Sequence, residues 1–141
     1  MTSRVIFANF LRVLSLAAFL PGILHIVLGL NADLMLGADV SSQSLNDPVL
    51  DSQNRFYGAC FMLFGAVFLV IASNLERYAL ILKCAIWVLF IAGLARGISV
   101  WLHGWPTPFI ILLFVIEILA PVILWWFSML SPPNATAPLT Q

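Results

Sequence analysis

The run AIWVLFIAGLARGISVWL, Ala85 to Leu102, decides the fold. It is apolar almost throughout and long enough to cross a membrane, for which roughly 20 mostly apolar residues suffice. Inside it stands one full charge, Arg96, between Gly93 and Gly97. The run predicts a membrane helix, and the arginine demands a partner or a wet space, because an unpaired charge at mid-membrane costs about 2.5–3.5 kcal/mol on insertion scales.

The rest of the chain agrees with a membrane reading. Of 141 residues, 62% are hydrophobic and 9% are charged, and the mean hydropathy is +1.07. Soluble domains carry about 25% charged residues, so this chain lacks the polar side chains to cover a soluble surface. Six basic and six acidic residues give no net charge, which speaks against a nucleic-acid partner, since that would need a basic patch. Cys60 and Cys84 lie in different apolar runs and are not expected to pair. No Cys/His cluster has metal-ligand spacing, and no cofactor is expected.

Four apolar segments predict an all-α, four-helix transmembrane bundle, with helices over 10–30, 56–72, 79–102 and 107–129. The first exceeds the apolar core of a signal peptide and lacks an A-x-A-like site after it, so it reads as an uncleaved anchor. The connections are a polar loop over 31–54, carrying Asp33, Asp39, Asp47 and Asp51, a short turn NLER at Asn74–Arg77, and a second turn HGWP at His103–Pro106. The Pro-rich tail 131–141 reads as disordered. Arg4, Arg12, Arg77 and Lys83 fall on one side of the bundle, and Arg55 alone flanks the other. By the positive-inside rule both termini and the NLER turn are cytoplasmic. The aspartate-rich loop is then outside, where it reads as solvated rather than as a calcium loop, because its aspartates lack that spacing.

Each helix carries small or polar residues at helical spacing: Pro21, Gly22, His25 and Gly29; Arg55, Gly58, Gly65 and Ala72; Gly93, Arg96, Gly97 and Ser99; Glu117, Ala120 and Pro121. Membrane helices meet through such residues, so these are the expected packing faces. Trp101, Trp105, Trp125 and Trp126 fall near helix ends, where aromatic belts form. Pro21 and Pro121 each deprive a carbonyl of its helical donor, those of Ala17 and Glu117. Counted from the outer end at ~1.5 Å per residue, Arg96 lies about 9 Å inside its helix and Glu117 about 15 Å inside the next. An arginine side chain spans that offset, which makes Glu117 its expected partner. His25 and Arg55 belong to the same outer half. Three readings fit the pair: a structural ion pair, a ligand or lipid-headgroup site in an outward cavity, and proton-coupled transport through Glu117. Ser99, close to Arg96, has no histidine placed to form a triad with it, and no catalytic residue is expected.

Taken together, DSQNRFYGACFMLFG, FIAGLARGISVWLHGWP and a glutamate in the last helix resemble a family of small four-helix bacterial membrane proteins without an assigned function. The matching positions are Arg55, Phe56, Tyr57 and Gly58, then Gly93 to Arg96, then Glu117, over about three-quarters of the chain. One member of that family is a trimeric inner-membrane protein linked to envelope homeostasis and antibiotic sensitivity. The resemblance implies a homotrimer in the bacterial inner membrane, with membrane lipids, its own copies and envelope proteins as partners, no enzymatic activity, and Tyr57 beside the polar cluster. Two alternatives stand beside it. A small proton-coupled multidrug exporter would carry its carboxylate in the first helix, where this chain has only His25. A trimeric membrane enzyme acting on lipophilic substrates would need a basic cytoplasmic site larger than NLER.

Overall fold

A computed structural model describes residues 3–130; the tail read as disordered lies outside them. The described residues form helices and no strands: α1 (Ser3–Leu28), α2 (Asn31–Met35), α3 (Ser42–Leu45), α4 (Pro48–Ser73), α5 (Ala79–His103), α6 (Pro108–Leu119) and α7 (Pro121–Ser128). Three of them, α1, α4 and α5, are long and apolar enough to cross a membrane, and α6 with α7 makes a fourth if that bent pair is one span.

The helices outrun the apolar segments because polar turns can be helical if they are capped. Asp47 caps α4, its Oδ1 accepting from the amides of Val49 at 2.8 Å and Leu50 at 3.2 Å, and Pro48 at the first position is preset for a helix. Helix α4 therefore starts at Pro48 rather than at 56, and the 31–54 loop shrinks to a stretch that itself holds α2 and α3. Gly104 ends α5 with a φ of +88°, a conformation open to glycine. At the other end of the bundle Asn74 leaves the helical conformation, and its Oδ1 accepts from the Arg77 amide at 3.0 Å. Pro121 splits the last segment into α6 and α7, bent by 40°. The carbonyl it frees on Glu117 accepts from the Ala120 amide at 3.2 Å, so it is spent inside the bend rather than lining a site.

The helices pair into two hairpins, α1 with α4 and α5 with α6. In the first, the backbones touch. A Cβ added to Gly58 would come within 2.7 Å of the Gly22 carbonyl oxygen and 2.9 Å of the Ile26 nitrogen. A Cβ on Gly22 would stand 2.9 Å from the Gly58 carbonyl oxygen. The contact fixes an antiparallel register in which small residues recur every seventh position, Ala8, Ser15 and Gly22 along α1 and Ala72, Gly65 and Gly58 along α4, and which sets Gly29, just past α1, beside Asp51. In the second hairpin, a Cβ on Gly93 would meet the Cβ of Glu117 and the Ile118 nitrogen at 3.0 Å. Gly97, the other half of that GxxxG, is looser, with the Phe114 ring no nearer than 3.5 Å.

The two hairpins are welded at the end that carries the Asn74–Tyr78 turn, here the turn end. Phe7 and Leu11 of α1, Phe68 and Ile71 of α4, and Leu82 and Ile86 of α5 are buried there in one cluster. Helix α7 closes it, with Trp126 edge-on to Phe7 at 4.9 Å. Trp101 and Trp105 are exposed at the opposite end, here the loop end, and Trp125 is exposed near the turn end, the disposition of two aromatic belts. Cys60 and Cys84 are unpaired.

The two glycine contacts predict opposite results for one substitution. Gly58→Ala has no room, because backbone atoms face it, and should destabilise the protein by about 1–3 kcal/mol, as overpacking does. Gly97→Ala meets only a ring edge and should be neutral or slightly stabilising, since alanine is the better helix former by about 1 kcal/mol. Thermal unfolding of both variants in one mild detergent checks this.

Candidate functional site

Away from the welded end the hairpins separate, and between them lies an elongated cavity of about 530 Å³. Along α4 its wall runs from Asn54 to Phe68, about 21 Å at ~1.5 Å per residue. Leu14, Phe64, Phe68, Val88 and Leu89 line its inner part. Small side chains, Ala17, Ala18 and Ala92, widen it. Of the polar and ionisable lining, His25, Asp33, Asn54, Tyr57 and Arg96 lie toward the loop end, while on α6 Glu117 is the innermost lining residue, with Phe109, Ile110 and Leu113 nearer the loop end. The cavity is thus an apolar shaft with most of its hydrogen-bonding groups toward one end.

Arg96 and Glu117 meet. The Arg96 Nε donates to Glu117 Oε2 at 2.8 Å. Glycine at 93 brings α5 so close to α6 that the carboxylate is held directly against the guanidinium. Glu117 is 9% exposed and Arg96 28% exposed at the side chain. Among the described residues Glu117 is the hydrogen-bonding partner of Arg96, through Nε alone. A guanidinium carries five N–H donors in a rigid fork. Four of them, on Nη1 and Nη2, are left unspent on the wall of the cavity.

A second polar group gathers where α1, α2 and α4 converge. His25 Nδ1 donates to the Pro21 carbonyl at 2.7 Å, and its Nε2 faces Asp33 Oδ1 at 3.3 Å. Asp33 Oδ2 accepts from Asn54 Nδ2 at 2.5 Å. That bond fixes which way the Asn54 amide points and leaves its Oδ1 buried without a hydrogen-bond donor. Asp33 thereby ties the short helix α2 to both long helices beneath it. Tyr57 is largely exposed, with one side on the cavity.

Two residues expected here lie elsewhere. Arg55 does not close the cavity. Its Nη1 donates to the carbonyls of Ile26 at 2.6 Å and Val27 at 3.2 Å, and its Nε to Asp51 at 2.8 Å. It caps the carbonyl end of α1, the place where a cation offsets unpaired carbonyls. Ser99 is exposed and off the cavity wall: it shares the face of Arg96 but lies almost a turn nearer the loop end. The aspartate-rich loop is not simply solvated either: Asp47 caps a helix, Asp51 accepts from Arg55 and from the Leu30 amide at 3.2 Å, and Asp33 joins the cavity. Asp39 alone of the four is left exposed. Among the described residues no group of three or more His, Cys, Asp or Glu could hold a metal ion.

Asp33 and Asn54 are the site residues missed in the sequence. The signal available was the polar pair Asn54-Arg55 one helical turn before Gly58, read there for its arginine alone. Ser15 was missed as well: it is wholly buried, and its hydroxyl has no partner.

The ion pair predicts a coupled response to substitution. Breaking a buried pair from one side costs about 3–5 kcal/mol in soluble proteins, and less in a membrane, where water defects relieve the stranded charge. Arg96→Met and Glu117→Gln should each lower thermal stability in detergent, and the double variant should recover much of the loss. Strictly additive losses would show that the two charges are not energetically joined.

Comparison with known proteins adds a family and no activity. No curated protein and no solved structure matches the chain. Residues 6–128 match the family described as Domain of unknown function (DUF4345), which takes in all the long helices and the whole cavity. The chain belongs to the DUF4345 family.

Proposed function

We propose that this is a multi-pass protein of the bacterial inner membrane that holds an amphiphilic lipid or small lipophilic ligand between its two hairpins. Through that ligand it supports envelope homeostasis and intrinsic antibiotic resistance. The observation that carries the reading is the cavity: about 530 Å³, within the ~300–1,000 Å³ of ligand sites, apolar along its length and polar toward one end. A molecule with a chain and a head matches that division. Arg96, part-exposed on the wall, also keeps four N–H donors beyond its bond to Glu117 that a ligand can use.

The reading is one of binding rather than catalysis. The ionisable groups in the wall include the Arg96–Glu117 ion pair and Asp33, which accepts from Asn54 and faces His25. The envelope role rests on the likeness of the Arg55–Gly58, Gly93–Arg96 and Glu117 motifs to AciT, a trimeric inner-membrane protein of that role, and the homotrimer is carried from the same likeness. Exposed apolar residues along the outer faces, such as Ile91, Ile98 and Trp87, suit either lipid or a second copy. The excess of Arg4, Arg12, Arg77 and Lys83 at the turn end supports a cytoplasmic location for that end and both termini. The polar end of the cavity then faces the periplasmic side.

Orientation is tested by thiol labelling of intact spheroplasts in a background with Cys60→Ala and Cys84→Ala. A membrane-impermeant reagent should reach Ser42→Cys and miss Glu76→Cys; the reverse pattern inverts the cavity. Native mass spectrometry of protein extracted in a mild detergent should show a trimer with one lipophilic molecule retained per protomer. Monomers alone would sink the trimer, and protomers empty under all mild conditions would sink the ligand.

A further inference from the structure

The cavity's unspent hydrogen-bonding groups define the ligand class more narrowly, given the binding reading above. We infer that the occupant is a single-chain lipid whose head carries an oxyanion for Arg96 and, beyond it, a hydrogen-bond donor for Asp33, the chemistry of a lysophosphatidylethanolamine. The chain follows from shape. The cavity wall runs about 21 Å along α4 and is apolar in its inner part, at Leu14, Phe64, Phe68, Val88 and Leu89, which suits an extended alkyl chain.

The oxyanion follows from Arg96. Its Nε is occupied by Glu117 Oε2 at 2.8 Å, which pins the plane of the guanidinium and leaves both Nη groups on the cavity wall. Arginine forks match carboxylate and phosphate oxygens in paired hydrogen bonds, which a point charge does not reproduce. The outer donor follows from Asp33, a carboxylate on the cavity wall that keeps some exposure beside its two neighbours. An ammonium or hydroxyl at the end of the head supplies what it accepts. Charge balance agrees. Arg96 and Glu117 cancel, so a head with its own compensating charges adds no net charge to a low-dielectric space, whereas a bare anion would.

The test uses the full chain in a neutral detergent, with four probes of equal chain length: palmitoyl lysophosphatidylethanolamine, palmitoyl lysophosphatidate, monopalmitoylglycerol and hexadecylamine. Retention is read by native mass spectrometry over a titration. The expected order puts lysophosphatidylethanolamine first, lysophosphatidate second, and the two lipids without an oxyanion last. Arg96→Lys keeps a positive charge opposite Glu117 while removing the fork. It should weaken retention of both phosphate lipids on the order of tenfold, the worth of a charge-assisted hydrogen bond, and leave monopalmitoylglycerol unchanged. If that variant loses all four probes its fold has suffered, and the order measured on the natural protein decides. Hexadecylamine or monopalmitoylglycerol binding as tightly as the phosphate lipids overturns the inference but leaves a lipid-binding protein. Equal retention of all four by the natural protein and by Arg96→Lys overturns it in the same way. Failure of every probe to bind removes the binding reading itself.

Discussion

The contact of Gly22 with Gly58 is the constraint on which the rest depends. Lipid tails are as apolar as leucine, so burying apolar side chains between membrane helices gains little over leaving them in lipid. What remains is close packing, and two glycines without Cβ atoms let two backbones touch. The touch sets the antiparallel register, and the register sets the loop end. It puts Gly29 beside Asp51 and Arg55, so that Arg55 reaches the last carbonyls of α1. It also puts His25 within reach of the segment that brings Asp33 and Asn54 together. A slip of one turn, about 5.4 Å along the axis, would undo all three arrangements at once.

The second hairpin uses the same device for a different end. Gly93 lets α5 approach the backbone of α6 at Glu117, and the ion pair forms where that approach is closest. Carrying two charges into the bundle costs desolvation energy, and their attraction offsets it only with good geometry. The close approach supplies the geometry. The pair is therefore less a source of stability than a way of holding a guanidinium still inside an apolar wall. Pro121 belongs to this arrangement, because the bend after Ala120 swings α7 onto Phe7 and Phe10 and so welds the hairpins at one end while the other stays apart.

Much of this was legible in the residues. Hydropathy located the four apolar segments, the seven-residue spacing of Gly58, Gly65 and Ala72 marked a contact face, and depth counting matched Arg96 to Glu117. The ends of the helices were not legible from hydropathy, since Asp47-Pro48 starts a helix by capping rather than by apolarity. Ser99 and Arg55 went astray because sharing a helix face with the site does not fix depth or partner: Ser99 lies almost a turn beyond Arg96 toward the loop end, and a long side chain at a helix mouth serves the nearest carbonyls first. Asp33 stayed hidden inside an acidic loop because its role depends on a contact with α4 across 21 positions, which no local pattern encodes.

The cavity itself was the least legible feature, and the reason is physical. Small residues occur on both kinds of inward surface. Gly22, Gly58 and Gly93 are small because a neighbouring backbone fills the space their side chains would take. Ala17, Ala18 and Ala92 are small beside a space that no neighbour fills. In sequence the two sets look alike, as stripes of small residues in apolar helices. The difference lies in what stands opposite. On α1 the glycine face meets α4, and the alanines at 17 and 18 look across a gap that Pro21 and the separation of the hairpins maintain. One helix thus seals a joint with its smallest residues and opens a chamber with its next smallest.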